Sequence, residues 1–161
     1  MEKLFRQEGF LELSLPPSSV DIIVSFGDPF LYLLKIDEQC SAIKNMFKIL
    51  KRGGFVHIDV INFFTIIRNY RQPKDKSWET ESHRYKRSVR HNIYALQGIW
   101  EHKDHILVEE KSSGTIKRIS STHRLKMFSP SELKLLFQQV GFEEIVLYPG
   151  ADLSAKDGSR I

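Results

Sequence analysis

Hydrophobic residues in this chain come in different rhythms, and each change of rhythm marks an element. From Val20 to Phe26 the run is nearly continuous, with Asp21 its only charged residue, and it ends at the turn formers Gly27-Asp28-Pro29. A run this apolar predicts a strand covered on both faces of a sheet. Beyond Asp37-Glu38 the spacing lengthens: Cys40, Ile43, Met46, Phe47 and Leu50 recur at helical intervals and form one apolar stripe. Acids open this helix and Lys48, Lys51 and Arg52 close it, as the helix dipole prefers. Gly53-Gly54 is expected to cap it, glycine accepting the left-handed conformation, and Phe55–Ile61 to follow as a second buried strand. Strand, helix and strand make one βαβ unit, crossing over right-handedly into a parallel sheet.

After Asn62 the pattern loosens. Phe63–Tyr70 reads as a short helix and is followed by a basic loop. Asn92–Trp100, His105–Glu110 and Thr115–Ser121 then alternate in polarity. Glu101-His102-Lys103-Asp104 and Ser112-Ser113-Gly114 separate them, which predicts antiparallel strands joined by tight turns. The first style returns at Ser129-Pro130-Ser131-Glu132, a capping box with proline at the first helical position. Leu133, Leu136, Phe137 and Val140 give that helix its core stripe, Gly141 ends it, and Phe142–Tyr148 is expected to be a strand. Residues 3–15 read as a short apolar piece before the turn Pro16-Pro17-Ser18, and Asp157–Ile161 as the approach to a further strand. With no linker in sight, residues 1–161 are expected to be one incomplete α/β domain in which 63–125 is a basic loop and antiparallel insertion.

Composition changes this picture little. At 161 residues, 41% hydrophobic and 27% charged, the chain has a globular balance and one domain's length. A single cysteine, Cys40 on the helical stripe and expected to be buried, leaves no internal disulfide and points to a reducing compartment, the cytoplasm. No apolar run is long enough for a membrane span. Charge is more informative. Arg68–Arg90 holds eight basic residues against three acids, a net of +5, so the rest of the chain sums to about −1. Tyr70, Trp78 and Tyr85 are interleaved there, an arrangement able to grip phosphates and stack bases. No nucleic-acid motif accompanies them, so the segment reads as a solvated loop rather than a nucleic-acid site. His57 and Asp59 alternate on one strand but lack a third ligand at metal spacing; a hydrogen-bonded core pair is expected and no metal.

Three stretches in register, FLELSLPPSSVDIIVSFGDPFLYL, AIKNMFKILKRGGFVHIDVIN and HRLKMFSPSELKLLFQQVGFEEIVLY, resemble the carboxyl-terminal part of a class I S-adenosylmethionine-dependent methyltransferase. The nearest relatives in pattern are small-molecule enzymes of the glycine/sarcosine N-methyltransferase type. The resemblance runs over roughly Phe5 to Tyr148, with Arg52 standing where the family usually has proline. It implies a partial Rossmann-like sheet, parallel core strands with flanking helices, plus the antiparallel insertion. It implies S-adenosyl-L-methionine as methyl donor and a small-molecule acceptor. In such a sheet ligands lie beyond the carboxyl ends of the strands, where strand order reverses. Ser25, Phe26 and Gly27 would then edge the cofactor, and Asp28 and Tyr32 would face the reacting groups. Asn62, His123 and Arg124 would hold the acceptor, Arg124 being suited to bidentate carboxylate binding. Where relatives carry Gly-Asp against the adenine, this chain has Glu8-Gly9: either Glu8 supplies the carboxylate from a shifted backbone, or that contact is absent. Phe10 would line the adenine pocket or pack as plain core.

The family's glycine-rich loop has no counterpart here, since no two glycines are spaced as G-x-G. The expectation is therefore a chain lacking that loop, with Val20–Phe26 left as a sheet edge through which it self-associates. The alternative is a methyltransferase-like module that binds or regulates without catalysis.

Overall fold

The computed structural model describes residues 7–148; the expectations for residues 3–6 and Asp157–Ile161 lie outside them. Two compact units emerge. One is Ile66–Met127; the other is built from the described residues on either side of it, up to Thr65 and from Phe128.

The first unit holds the βαβ element. Strand β1, Val20–Ser25, pairs in parallel with β2, Leu50–Ile58, and helix α1, Ile36–Ile49, connects them. The register jumps from Val20↔Leu50 to Ile22↔Phe55, so Lys51–Gly54 bulges out of β2. Gly53-Gly54 is therefore not the helix cap: α1 ends at Ile49 with Leu50 as its C-cap, and the two glycines shape the bulge. Gly53 sits at φ 78°, and a Cβ on Gly54 would lie 2.7 Å from the Asp21 carbonyl oxygen. Short backbone approach, rather than helix termination, is what requires glycine here.

Helix α1 buries Ala42, Ile43, Met46 and Ile49, a stripe rotated from the expected one. Phe47 is 44% exposed and Cys40 is half-buried rather than fully buried. Buried Gln39 donates from Nε2 to the Leu33 carbonyl at 2.8 Å and so closes the turn into the helix. Helix α3, Pro130–Val140, matches its capping signal: the Ser129 side chain accepts from the Glu132 N–H, and Gly141 ends the helix at φ 115°. Phe30 ties these parts together, its ring meeting those of Phe10, Phe128 and Phe137. Phe47 and Phe137 close on Phe142 in the same way.

Two further expectations for this unit fail. Val20–Phe26 is not covered on both faces: Ile23 and Ser25 turn inward, whereas Ile22, Val24 and Phe26 are at least half-exposed, beside exposed Phe55 on β2. Two strands form this sheet among the described residues, and none of those residues covers that face. Phe142–Tyr148 forms no strand. An open cleft of about 870 Å³, lined by Val56 and Ile58 of β2 and by Ile145, Val146 and Leu147, lies where a ladder would have to form.

The second unit is a four-stranded antiparallel sheet in the order β3 (Lys76–Glu79), β4 (His83–Tyr94), β5 (Ile99–Glu110), β6 (Ile116–Lys126). A short helix α2, Phe63–Arg68, precedes it. The basic segment is thus mostly strand rather than loop; Trp78 and Tyr85 stack flat across β3 and β4 at 5.1 Å. Nor is Glu101–Asp104 a turn. These residues lie inside β5, and the chain reverses instead through Ala95–Gln97 and Gly98, at φ 62°. The polar side chains tolerate a central strand because Glu101, His102 and Asp104 find partners on neighbouring strands, in Asn92 and Arg124, His91, and Arg87, while Lys103 pairs with Glu101 of its own strand.

Candidate functional site

The parallel pairing of β1 and β2 brings their exits side by side, Ser25 opposite Ile58. The Asp59 N–H donates to the Ser25 carbonyl at 2.9 Å, prolonging the ladder by one bond. Gly27 and Asp28 then adopt left-handed backbones, φ 76° and 67°, and turn the chain into the short 3-10 segment Pro29–Tyr32. Asp28 is a costly place for a side chain with a Cβ. Its compensation is specific: Oδ1 accepts the Ile61 N–H at 2.7 Å. One carboxylate thereby fastens the exit loop of β1 to that of β2.

Burial pushes the Asp28 carboxyl above its ordinary range; the Ile61 N–H opposes this and the Asp59 charge adds to it. Ser25 is 6% exposed, and its hydroxyl has no hydrogen-bond partner among the described residues. A buried, unmatched hydroxyl at a strand exit is uncommon, and a water, an ion or a ligand atom would satisfy it. Phe26 is 70% exposed and leans on the His57 ring. A Cβ on Gly27 would meet nothing within 4 Å. Asn62 accepts from the Thr65 N–H at 3.4 Å, at the start of α2, and Tyr32 is half-exposed at the end of the 3-10 turn. Ser25–Asp28 and the exit of β2 therefore share one rim.

The other predicted residues belong to other segments, Glu8, Gly9 and Phe10 to the stretch before β1 and His123 and Arg124 to the second unit. Both Glu8 oxygens are taken by Ser14, from its N–H at 3.0 Å and its hydroxyl at 2.6 Å. Phe10 packs edge-on against Phe30, and the Asn45 amide holds its carbonyl. Gly9 is exposed, with open space around its α-carbon, and its carbonyl accepts from the Glu12 N–H. His123 and Arg124 are consecutive residues of β6 in the second unit, so their side chains point to opposite faces of that sheet. His123 lies opposite His102, with rings 6.2 Å apart, whereas Arg124 donates from Nε to Glu101 at 2.8 Å.

Sequence reasoning missed Glu101, the most enclosed acid of the described residues at 1% exposed. Its carboxylate also accepts from Asn92 at 2.9 Å and Tyr94 at 3.3 Å, and pairs with Lys103 at 2.9 Å. These donors draw its pKa down to about 2, the Asn92 amide first, then Lys103 and Arg124. The only signal in the sequence was strand alternation through residues 99–110, masked by the run of polar residues. Among the described residues no group of three or more His, Cys, Asp or Glu has the arrangement of a metal site, and no described helix is long and apolar enough to cross a membrane.

No family model and no curated protein matches the sequence. Solved structures do match the fold. A sugar N-methyltransferase from Streptoalloteichus sp. superposes with a TM-score of 0.69 at 17% identity, over 88% of this chain and 55% of that one. DesVI of Streptomyces venezuelae gives 0.65 at 15% identity, over 88% and 58%. An amino pentose methyltransferase from Micromonospora echinaspora, solved with S-adenosylmethionine bound, gives 0.64 at 16%, over 83% and 54%. The chain thus spans little more than half the length of these structures. At such identities the likeness concerns architecture: the chain has the α/β fold of S-adenosylmethionine-dependent methyltransferases, as its sequence pattern implied.

Proposed function

We propose that this chain supplies one wall of a methyl-transfer site, in which S-adenosylmethionine meets a small-molecule acceptor above the exits of β1 and β2. The amino group of a sugar is the acceptor we favour, because two of the similar structures are methyltransferases for a sugar and an amino pentose. The observation that carries the reading is the Asp28–Ile61 bond, which joins the two parallel-strand exits into one rim beside the unmatched Ser25 hydroxyl.

The residues fit such a ligand on the β1 side. Ser25 offers a buried hydroxyl, Gly27 leaves room for backbone to approach, and exposed Phe26 offers a flat apolar surface. Glu8 is committed to Ser14. That favours the second of the two alternatives for the adenine, in which no carboxylate from this segment reaches it. When bound, the cofactor supplies a methyl group made electrophilic by a sulfonium. The protein's task in such a displacement is alignment and exclusion of water rather than heavy acid–base work. Asp28 is held at Oδ1, which leaves Oδ2 to orient an amine or accept its proton; the burial that lifts its pKa makes it a better proton acceptor than an ordinary aspartate. Asn62 and Tyr32 extend the acceptor side of the rim.

Mapping backbone amide shifts while titrating S-adenosylhomocysteine, the demethylated cofactor, to millimolar concentration tests this. The expected shifts cluster at Ser25–Asp28 and at residues 59–62, and diminish in the Gly27→Val chain. Shifts confined to other segments, or none at all, would overturn the assignment.

A further inference from the structure

In the second unit, three histidines stand in one cross-strand row: His91 on β4 opposite His102 on β5, and His102 opposite His123 on β6. Two of them touch through nitrogen, His91 Nε2 lying 2.8 Å from His102 Nδ1. The other His91 nitrogen, Nδ1, is 2.8 Å from the Tyr70 hydroxyl. Tyr70 also meets Trp100 edge-on at 5.0 Å, and Trp100 is in turn 4.8 Å from the His91 ring. Two residues after Tyr70, the Gln72 side chain grips the His91 backbone from both sides. Its Nε2 donates to the His91 carbonyl at 2.6 Å and its Oε1 accepts the His91 N–H at 3.0 Å. Strand β3 pairs only with Arg84–Arg87 of β4, so this amide takes the place of a neighbouring strand further along. The segment Tyr70–Gln72 is thus strapped to β4 at a single residue.

The nitrogen-to-nitrogen contact restricts proton number. One proton between the two rings makes a hydrogen bond; a proton on each facing nitrogen makes two N–H groups collide, and adds repulsion between two cations. We propose that Tyr70, His91 and His102 form a proton-counting latch, which holds the Tyr70–Gln72 strap on the sheet while the imidazole pair carries at most one positive charge and releases it when the pair takes a second. The groups facing the pair are Tyr70 on the strap, His123 on β6, and Asp104 on β5, which is bound to Arg87 of β4 by a 2.9 Å hydrogen bond. Asp104 is therefore already neutralised by a permanent cation and does little to stabilise a doubly charged pair. Burial, and then the nearness of His102, hold the His91 pKa below the usual imidazole range, in the direction the latch requires. Arg71 lies within the strap and Lys74 just beyond it, so release would free a cationic segment.

Nuclear magnetic resonance of the full chain between pH 8 and 5 tests the latch, following the ring nitrogens together with exchange protection of the His91 amide. The pair is expected to titrate in two steps, the lower one below about 6.5, with protection of the amide falling roughly tenfold for each pH unit beneath it, one proton being taken up per release. In the His102→Gln chain the amide oxygen can accept the same bond without titrating, and protection should persist over the same range. Tyr70→Phe keeps the ring against Trp100 but removes the hydroxyl; it should lower protection at neutral pH while leaving the two ring steps in place. Independent titration of both rings near the ordinary value would overturn the proposal. So would loss of protection to the same extent and at the same pH in wild type and His102→Gln.

Discussion

Asp28 and Glu101 show how the same side-chain chemistry takes opposite roles in the two units. Asp28 is partly buried beside another acid and holds its proton more tightly than usual, as the role proposed for it above would need. Glu101 is enclosed by donors and gives its proton up down to about pH 2, which suits a fixed anion. For a carboxylate with a depressed native pKa, the stabilisation is complete above the unfolded value and disappears as pH falls through the folded one. The Glu101 contribution should therefore be intact above about 4.5, the ordinary value, and be lost progressively toward about 2. Asp104, whose pKa is lowered by its Arg87 bond, should act in the same sense. Far-ultraviolet circular dichroism of the acid transition, run on wild type and Glu101→Gln, checks this. The variant should melt several degrees lower at neutral pH and show a flatter acid limb, since Gln cannot be protonated there. An unchanged limb would mean that Glu101 is not the anion on which the β4–β5–β6 face depends.

The elements divide by whether their determinants are local. Helix α3 was legible to the residue at both ends, because a capping box and a terminal glycine act within four residues of chain. Strands β1 and β2 and their parallel pairing were legible from apolar runs joined by a helical stripe, and so was the position of the Ser25–Asp28 exit. What escaped depended on partners distant in sequence. Glu101–Asp104 looks like a turn until Asn92, Arg124 and Arg87 are supplied from neighbouring strands, and the Asp28–Ile61 bond has no signature in either segment. Gly53-Gly54 has the look of a helix cap, yet its requirement comes from the Asp21 carbonyl of the adjacent strand. Two substitutions separate these cases. Ser129→Ala should cost about 1 kcal/mol through loss of a cap. Gly54→Ala, placing a methyl against backbone that cannot swing aside, should cost about 1–3 kcal/mol as overpacking does. Urea denaturation of both chains decides it: a Gly54→Ala chain as stable as wild type would mean that the β1–β2 bulge yields easily, and glycine there is incidental.

Taken as a whole, the described residues leave the first unit's sheet with an open edge at β1 and a bare apolar face made by Ile22, Val24, Phe26 and Phe55. Magnitudes decide what such a surface can do alone. Full burial of a side chain of this kind yields about 1.5–3 kcal/mol, and these stand 50% to 70% exposed, so each has about 1 kcal/mol or slightly more left to gain. In a self-associated pair both copies bury this face, so eight such side chains reach about 8 kcal/mol, near the free energy of a micromolar complex, from which the cost of lost freedom on association, about 4–15 kcal/mol, has still to be subtracted. The face by itself therefore supports weak, concentration-dependent self-association, and anything tighter needs the backbone groups along the β1 edge, or a partner polypeptide covering both. Sedimentation velocity from ten to several hundred micromolar, with a fluorescent dye reporting exposed apolar surface, distinguishes these outcomes. The chain should bind dye and grow in mean mass with concentration. Val24→Glu, at a half-exposed position where a charge meets water in the monomer, should suppress both while leaving the secondary structure intact. A monomer at every concentration that binds no dye and melts reversibly in one sharp step would show that this face is covered within the chain itself, and would remove the need for any partner at the sheet.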